Sequence, residues 1–255
     1  MFNIEKFDIK LDTELIGRSF ILCDEVDSTN TYLMKDKNIT LNGTVILAER
    51  QTKGKGRLAR TWFSGKGLNL TFSVLLNRKK LFKNPGLTNL TTAVSLGTAI
   101  ENLYQLKTEL KWPNDVLINQ KKVAGILIES AIQGPAISKM VIGIGMNVNQ
   151  AVFHGEFRIE PTSIRNELGQ NVEREKFLSE FFNIYEEYLE TSIKKPEFIL
   201  KEWRERCRMM GESITVTHGK GVKYGIFEDI DERGSLILRL KTRKEKIHFG
   251  DVSVS

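Results

Sequence analysis

Residues 111–115 and 121–129 have the residue types and spacing that could carry out chemistry on anions. The first segment reads KWPND and the second reads KKVAGILIE. A proline directly after a tryptophan predicts a turn, and Lys122 opens an apolar, β-branched stretch that is typical of a buried strand. We therefore expect the polar side chains of both segments at neighbouring strand ends, where a sheet usually carries its ligand. Burying an ammonium group is costly unless an anion compensates it, so Lys122 is a candidate anion-binding residue. The alternative is a lysine whose stem reaches solvent.

A glycine-rich basic loop lies between two predicted strands, 45–48 and 68–76. Residues 51–62 read QTKGKGRLARTW. Two glycines one residue apart allow positive φ and let backbone N–H groups converge on an anion, and the loop also carries four basic side chains. The loop therefore has the chemistry needed to hold a phosphate, although it matches neither the Walker A motif nor the dinucleotide fingerprint. An exposed flexible connection is the alternative interpretation.

Two more polar segments follow predicted strands. Residues 24–30, DEVDSTN, join a strand at 20–23 to a predicted helix, and the Ser, Thr and Asn could either cap that helix or hydrogen-bond a small polar ring. Residues 143–149, GIGMNVN, end a strand with glycines that permit close approach by a ligand. A bulged strand end would explain the second segment equally well.

Hydrophobic periodicity predicts a mixed α/β domain followed by a small β domain. Residues 68–76 alternate apolar and polar side chains, which predicts a half-buried strand. Helices are predicted at 87–106, 173–190 and 197–208, and further strands at 116–118, 123–128 and 140–148. Beyond residue 211 the pattern changes to short strands at 214–217, 221–227, 235–240 and 245–249, separated by Gly and charged turns. We therefore predict two domains, residues 1–208 and 209–255.

Composition excludes several classes of protein. The chain of 255 residues is 40% apolar and 27% charged, which is ordinary for a soluble globular protein. Two cysteines and three widely separated histidines favour neither a disulfide framework nor a zinc site. We find no signal peptide and no membrane span, so we expect a cytoplasmic protein without membrane contacts. A net charge of +6 suggests an anionic partner, but the chain lacks the basic, aromatic-interleaved face that nucleic-acid binding requires.

Taken together and in this order, the polar segments resemble the catalytic domain of biotin protein ligases (biotin–[acetyl-CoA-carboxylase] ligase, or holocarboxylase synthetase). The resemblance rests on residues 27–30, Gln51, 54–57, Arg60, Trp62, 111–115, 122–129, 143–149 and 161–164. It covers nearly the whole chain and implies an α+β fold, in which a mixed-sheet catalytic domain carries a small C-terminal SH3-like β-barrel. One departure stands out: Lys55 replaces the first arginine of the family's usual Gly-Arg-Gly-Arg loop, which keeps the charge but loses the planar bidentate fork.

The resemblance implies an ATP-dependent ligase. Such an enzyme activates biotin as biotinyl-5′-AMP and transfers it to a lysine of a biotin carboxyl carrier protein, with Lys122 as the catalytic residue between biotin's carboxylate and the α-phosphate. The implied biotin-binding residues are Ser28, Thr29, Asn30, Gln51, Gly54, Lys55, Gly56, Arg57 and Lys122. The implied ATP- and adenylate-binding residues are Lys55, Arg57, Arg60, Trp62, Asn114, Lys122 and Asn147. Loop 53–60 would order over the reactive intermediate.

The resemblance also implies cofactors and partners. Magnesium is expected because ATP's phosphates need it, yet no dedicated carboxylate cage is visible; Asp115 could either take part in metal binding or hold the turn. Ser28 lies too close to Met1 for the winged helix-turn-helix of some family members, so we expect the single-function form, with a homodimer left open. Two other functions compete with this one: a lipoate or octanoate ligase of related fold, and a non-catalytic binding module that uses the basic loop for RNA or protein.

Overall fold

The structure, a computed structural model, describes residues 1–133, 136–218, 221–248 and 250–254. Its helices are α1 (Ile4–Asp8), α2 (Thr29–Lys35), α3 (Lys79–Phe82), α4 (Pro85–Tyr104), α5 (Ile164–Leu168), α6 (Arg174–Lys194) and α7 (Pro196–Arg206). The strands of the first sheet are β1 (Phe20–Val26), β2 (Val45–Gln51), β3 (Leu70–Leu76), β4 (Glu109–Lys111), β5 (Asp115–Ile118), β6 (Lys121–Gln133) and β7 (Ala136–Met146). Those of the second are β8 (Ser213–His218), β9 (Gly221–Ile230), β10 (Leu236–Arg239), β11 (Lys244–Ile247) and β12 (Asp251–Val254).

The first sheet is mixed, as predicted. Its seven strands have the order β1-β2-β3-β7-β6-β5-β4, and β1 pairs with β2 in parallel while all other neighbours are antiparallel. The second sheet is antiparallel, with the order β11-β10-β9-β8-β12. The expected α+β fold with a small C-terminal β unit is therefore confirmed. Position 249, at the end of the predicted strand 245–249, lies outside the described residues.

Helices α4, α6 and α7 cover one face of the mixed sheet, within a few residues of their predicted positions. Asn84 caps α4 through its side chain, which accepts from Leu87 N–H, and Pro85 follows in the first turn. Aromatic side chains of α6 point inward, where Phe181 packs against Phe72 of β3 with ring centroids 5.8 Å apart. No helix in the described ranges combines the length and apolarity needed to span a membrane.

The prediction that residues 68–76 form a half-buried strand is wrong. All seven residues of β3 are buried, including the polar Thr71 and Ser73. Helix α2 covers the second face, where Leu33 packs with Ile46 and other apolar residues into a smaller core. An alternating pattern marks two different faces, but here the polar face lies against a helix and a polar cavity, rather than against bulk water.

A buried ion pair fixes β2 to the start of α6. Arg174 Nη1 lies 2.7 Å from Glu49 Oε2, and Nη2 lies 3.0 Å from Oε1, while the backbone N–H of Phe2 also donates to Oε1. Burial alone would raise the pKa of Glu49, but the hydrogen bonds and charge of Arg174 hold it below its ordinary value. Both side chains are almost fully buried, so removing either one would leave the other charge buried and unpaired.

We expect Arg174→Met to lower the free energy of unfolding by about 3–5 kcal/mol at neutral pH, because it leaves the Glu49 carboxylate buried and unpaired. Because the folded pKa of Glu49 lies below the unfolded one, the pair stabilises above about pH 4.3 and loses its effect as pH falls through the folded pKa. Urea unfolding at several pH values would measure the difference, with the exposed Lys176→Met as the matched control. Equal stability of both variants at neutral pH would contradict the expectation.

Candidate active site

A cavity of about 530 Å³ opens on the sheet face that α2 partly covers. It is lined by the start of α2, the end of β2, loop 55–63, turn 111–115, the glycine-bearing parts of β6 and β7, and segment 153–161. Asp251 and Val252 of the C-terminal sheet complete the wall. Every residue predicted for the site lines this cavity except Gly54. That glycine is buried behind the loop, where its carbonyl accepts from Trp62 N–H at 3.0 Å.

One end of the cavity is neutral and hydrogen-bonding. Ser28 is the N-cap of α2, one of the two roles that the sequence leaves open for it, and Thr29 follows it. The backbone N–H of Thr29 donates to Gln51 Oε1 at 2.7 Å, which fixes the orientation of the Gln51 amide and leaves its Nε2 group as a donor. Hydroxyl, amide and backbone groups thus converge where a small polar ring could be bound.

The floor of the cavity is formed by two paired glycines. Gly125 of β6 lies opposite Gly145 of β7, and the ring of Trp62 lies on this pair. A Cβ at Gly145 would lie only 2.2 Å from Trp62 Cε2, so no other residue permits this approach. For the glycines of 143–149 the sequence leaves open close approach by a ligand or a bulged strand end; at Gly145 the structure shows the loop's own tryptophan. Trp62 Nε1 is buried and has no hydrogen-bond partner within the described ranges, so it is available to an acceptor on a ligand.

Lys122 lies at the centre of the cavity. Its Nζ is 2.6 Å from Asp115 Oδ1 and 5.5 Å from the Trp62 ring centroid. Residues 160–162 run beside it, since Lys122 N–H donates to the Glu160 carbonyl at 2.7 Å and Thr162 N–H donates to the Lys122 carbonyl at 2.9 Å. Segment 161–164, one of those on which the family resemblance rests, therefore holds the backbone from which the lysine projects.

The turn after β4 joins loop 51–62 to the sheet. Asn114 Nδ2 donates to the Ile126 carbonyl at 2.7 Å, and its Oδ1 accepts from Arg57 Nη1 at 3.0 Å. Trp112 is buried, and its Nε1 donates to the Gly234 carbonyl at 3.0 Å, so it also contacts the turn between β9 and β10 of the second sheet. Asn147 is buried as well, and its Nδ2 donates to the Thr162 carbonyl at 3.0 Å.

Sequence reasoning missed Asp251 and Arg158, which form a charged cluster with the predicted Arg57 and Arg60. Arg158 Nη1 lies 2.6 Å from Asp251 Oδ2, Arg57 Nη1 lies 3.7 Å from Oδ1, and Arg60 also contacts Oδ2. Burial would raise the pKa of Asp251, but the hydrogen bond and charge of Arg60 and the other arginines hold it below its usual range. Asp251 follows Arg57 by nearly two hundred positions in a different sheet, and no local sequence pattern identifies it.

Positive charge dominates the end of the cavity beyond Lys122. Burial lowers the pKa of Arg57 and that of Lys111, and the neighbouring Asp115 and Asp251 oppose this effect. Lys55, by contrast, is exposed, and its backbone pairs with that of Thr61. Partly buried cations with only a few neighbouring carboxylates attract a polyanion, so the electrostatic free energy of binding a polyanion here would be favourable.

In the part of the chain that the structure describes, no three His, Cys, Asp or Glu side chains come close enough to hold a metal ion. Asp115, which the sequence suggests for either a metal or a structural role, pairs with Lys122.

Comparisons with known proteins agree over most of the chain. Residues 22–147 match the model of the biotin/lipoate A/B protein ligase family, and residues 210–255 match that of the biotin protein ligase C-terminal domain. The biotin–[acetyl-CoA-carboxylase] ligase of Paracoccus denitrificans is 32% identical over 234 residues, which cover 89% of this chain and 96% of that protein. The bifunctional ligase/repressor BirA of Bacillus subtilis is 32% identical over 96% of this chain and 76% of its own length. A structure of the Aquifex aeolicus biotin protein ligase in complex with biotin and ATP superposes with a TM-score of 0.83 at 30% identity, covering 93% of this chain and 100% of that one.

Proposed function

The chain belongs to the biotin protein ligase family, and we propose that it activates biotin with ATP and transfers it to a lysine of a biotin carboxyl carrier protein. The observation that carries this proposal is the position of Lys122. Its ammonium group lies between a neutral, hydrogen-bonding end of the cavity and an end rich in arginine. A neutral ring with a carboxylate tail and a nucleotide would fill these two ends and meet at the lysine.

The first step joins two anions. A carboxylate oxygen of biotin attacks the α-phosphorus of ATP, the bond to the β-phosphate oxygen breaks, and pyrophosphate leaves. Lys122 would bridge the carboxylate and the α-phosphate, exchanging Asp115 for these oxygens. It would hold the two groups in line and stabilise the charge that develops between them. Arg57, Arg60 and Arg158 would likewise exchange Asp251 for phosphate oxygens.

The ureido ring of biotin fits the neutral end. Gln51 Nε2 would donate to the ureido carbonyl, and the hydroxyl groups of Ser28 and Thr29 would contact the ring N–H groups. Trp62 would lie against the adenylate, and Asn114 and Asn147 would keep the surrounding turns in place. Loop 53–60 would cover the mixed anhydride and protect it from water.

Magnesium, when bound with ATP, would supply charge neutralisation on the phosphates. Among the described residues no carboxylate cluster offers it a site of its own, so the nucleotide would provide most ligands. In the second step the amine of the carrier lysine attacks the carbonyl carbon of the mixed anhydride, which forms an amide and releases AMP. The biotin carboxyl carrier protein is the protein partner in this step, and a homodimer is left open.

Pyrophosphate release with ATP, magnesium and either biotin or lipoate tests the proposal. We expect turnover with biotin only, because lipoate offers no ureido group to Thr29 and Gln51. AMP release and a mass gain on a biotin carboxyl carrier domain should follow when that domain is added. Turnover with lipoate alone would move the assignment to the related ligases, and no turnover with either would leave a binding module.

A further inference from the structure

The side chain of Asn30 is fully engaged by protein partners, although its position suggests a ligand contact. Asn30 Nδ2 lies 2.8 Å from Glu129 Oε2 and 3.1 Å from the Leu127 carbonyl oxygen. Its Oδ1 lies 2.6 Å from Ser73 Oγ. An amide has two N–H donors, and both partners of Nδ2 can only accept, so the orientation of the Asn30 amide is fixed.

This orientation determines where the hydroxyl protons point. Asn30 Oδ1 can only accept, so Ser73 must donate its one proton to Asn30. Ser73 Oγ also lies 2.7 Å from Thr29 Oγ1, and in that contact Ser73 can therefore only accept. Thr29 must donate, either to Ser73 or to Gln51 Oε1 at 3.1 Å. In both cases the proton of Thr29 points into the protein, and its lone pairs remain for a ligand.

The result is a defined pattern of hydrogen-bonding groups at the neutral end of the cavity. Thr29 Oγ1 offers an acceptor, and the adjacent Gln51 Nε2 offers a donor. A ring that presents an N–H beside a carbonyl group matches this pattern. A ring with an acceptor in place of the N–H would place that acceptor against Thr29 Oγ1, which is also an acceptor. The ureido group is of the first kind.

The backbone is built to admit this network. Asn30 lies flat on Gly143 of β7, where a Cβ would be 2.2 Å from Asn30 Oδ1, so any larger residue would displace the amide. Asn30 and Ser73 are both buried, and Glu129 reaches Asn30 from β6. Four elements, α2, β3, β6 and β7, therefore meet at one amide group.

We propose that Asn30, Ser73 and Glu129 are positioning residues that hold Thr29 in register with Gln51 and orient its hydroxyl as an acceptor for a ureido N–H. The inference rests on the proposed function and names residues that set its specificity. None of the three has to touch the substrate. They act on biotin binding through Thr29, and leave the phosphate end of the cavity unchanged.

Asn30→Asp reverses the polarity at the Glu129 end of this network. The new carboxylate oxygen faces two acceptors, Glu129 Oε2 and the Leu127 carbonyl, instead of donating to them. We expect the KM for biotin to rise by about ten- to a hundredfold, as is typical when a buried hydrogen bond becomes a clash of acceptors, while kcat and the KM for ATP change less than about threefold. Pyrophosphate release under varied biotin and varied ATP measures both constants.

Glu129→Gln provides the rescue. In Asn30→Asp/Glu129→Gln the glutamine can donate to the new aspartate, and most of the loss should be recovered. A purely structural defect would lower kcat and thermal stability together, whereas the positioning role predicts a change in the KM for biotin alone.

Each outcome decides between the two proposals. An unchanged biotin KM in Asn30→Asp, or a double variant no better than the single one, would overturn the positioning role. A wild-type protein that turns over ATP with biotin keeps the proposed function intact in either case. If the wild type releases no pyrophosphate with biotin, the proposed function itself fails, and the ligand assigned to this network fails with it.

Discussion

Lys122→Ala should lower kcat/KM for biotin-dependent pyrophosphate release by about 10²–10³-fold, the range seen when one preorganised charge-stabilising group is removed from a site. Lys122 Nζ is the cation between the two ends of the cavity, held 2.6 Å from Asp115. Without it, the carboxylate and the α-phosphate would repel each other with no compensating charge at the reacting atoms. The remaining Asp115 carboxylate would add to that repulsion.

Lys121 is the matched control because it is the preceding residue of the same strand. Its side chain is more exposed than that of Lys122, and its Nζ pairs with Glu160 outside the reacting centre, at 3.6 Å. We expect Lys121→Ala to keep nearly full activity. A loss of less than about fivefold in Lys122→Ala, or equal losses in both variants, would remove Lys122 from the catalytic role.

The central part of this site could be predicted from sequence because its signals are local. A lysine that opens a buried apolar strand violates the usual cost of burying charge, and such violations are expected at functional sites. The capping sequence before α2 and the glycine-rich basic loop are also short patterns with a physical meaning. Their common location at one site was implied only by the family resemblance.

The rest of the site, and the burial of β3, depend on contacts between segments that are distant in sequence. Asp251 reaches three arginines from a strand of the C-terminal sheet, and no spacing rule connects it to them. Periodicity predicts that β3 is only half-buried, because an alternating pattern cannot show what covers the polar face. In the structure α2 covers that face. The amide of Asn30 was expected to face biotin for the same reason: a polar residue at a helix start does not reveal that Ser73 and Glu129 already occupy its groups.

Arg57→Gly should allow adenylate formation but let the intermediate escape. Arg57 joins loop 51–62 to turn 111–115 through Asn114, and to the C-terminal sheet through the Gly250 carbonyl at 3.1 Å and Asp251. Glycine removes all three contacts and the charge that would hold the adenylate phosphate. A charge-assisted hydrogen bond contributes about 1.5–3 kcal/mol, so the release rate of biotinyl-5′-AMP should rise by about ten- to a hundredfold.

Single-turnover reactions without carrier protein would measure this release, as the fraction of labelled adenylate that passes a filter with time. Lys53→Gly is the matched control, because Lys53 lies in the same loop but is exposed, and its side chain pairs with Asp27 at 3.1 Å. It introduces the same loop flexibility without removing a cavity contact. If both glycine variants release adenylate equally fast, loop flexibility rather than the Arg57 contacts controls retention. If neither differs from the wild type, the adenylate is held by Lys122 and the sheet, and the loop has no part in protecting it.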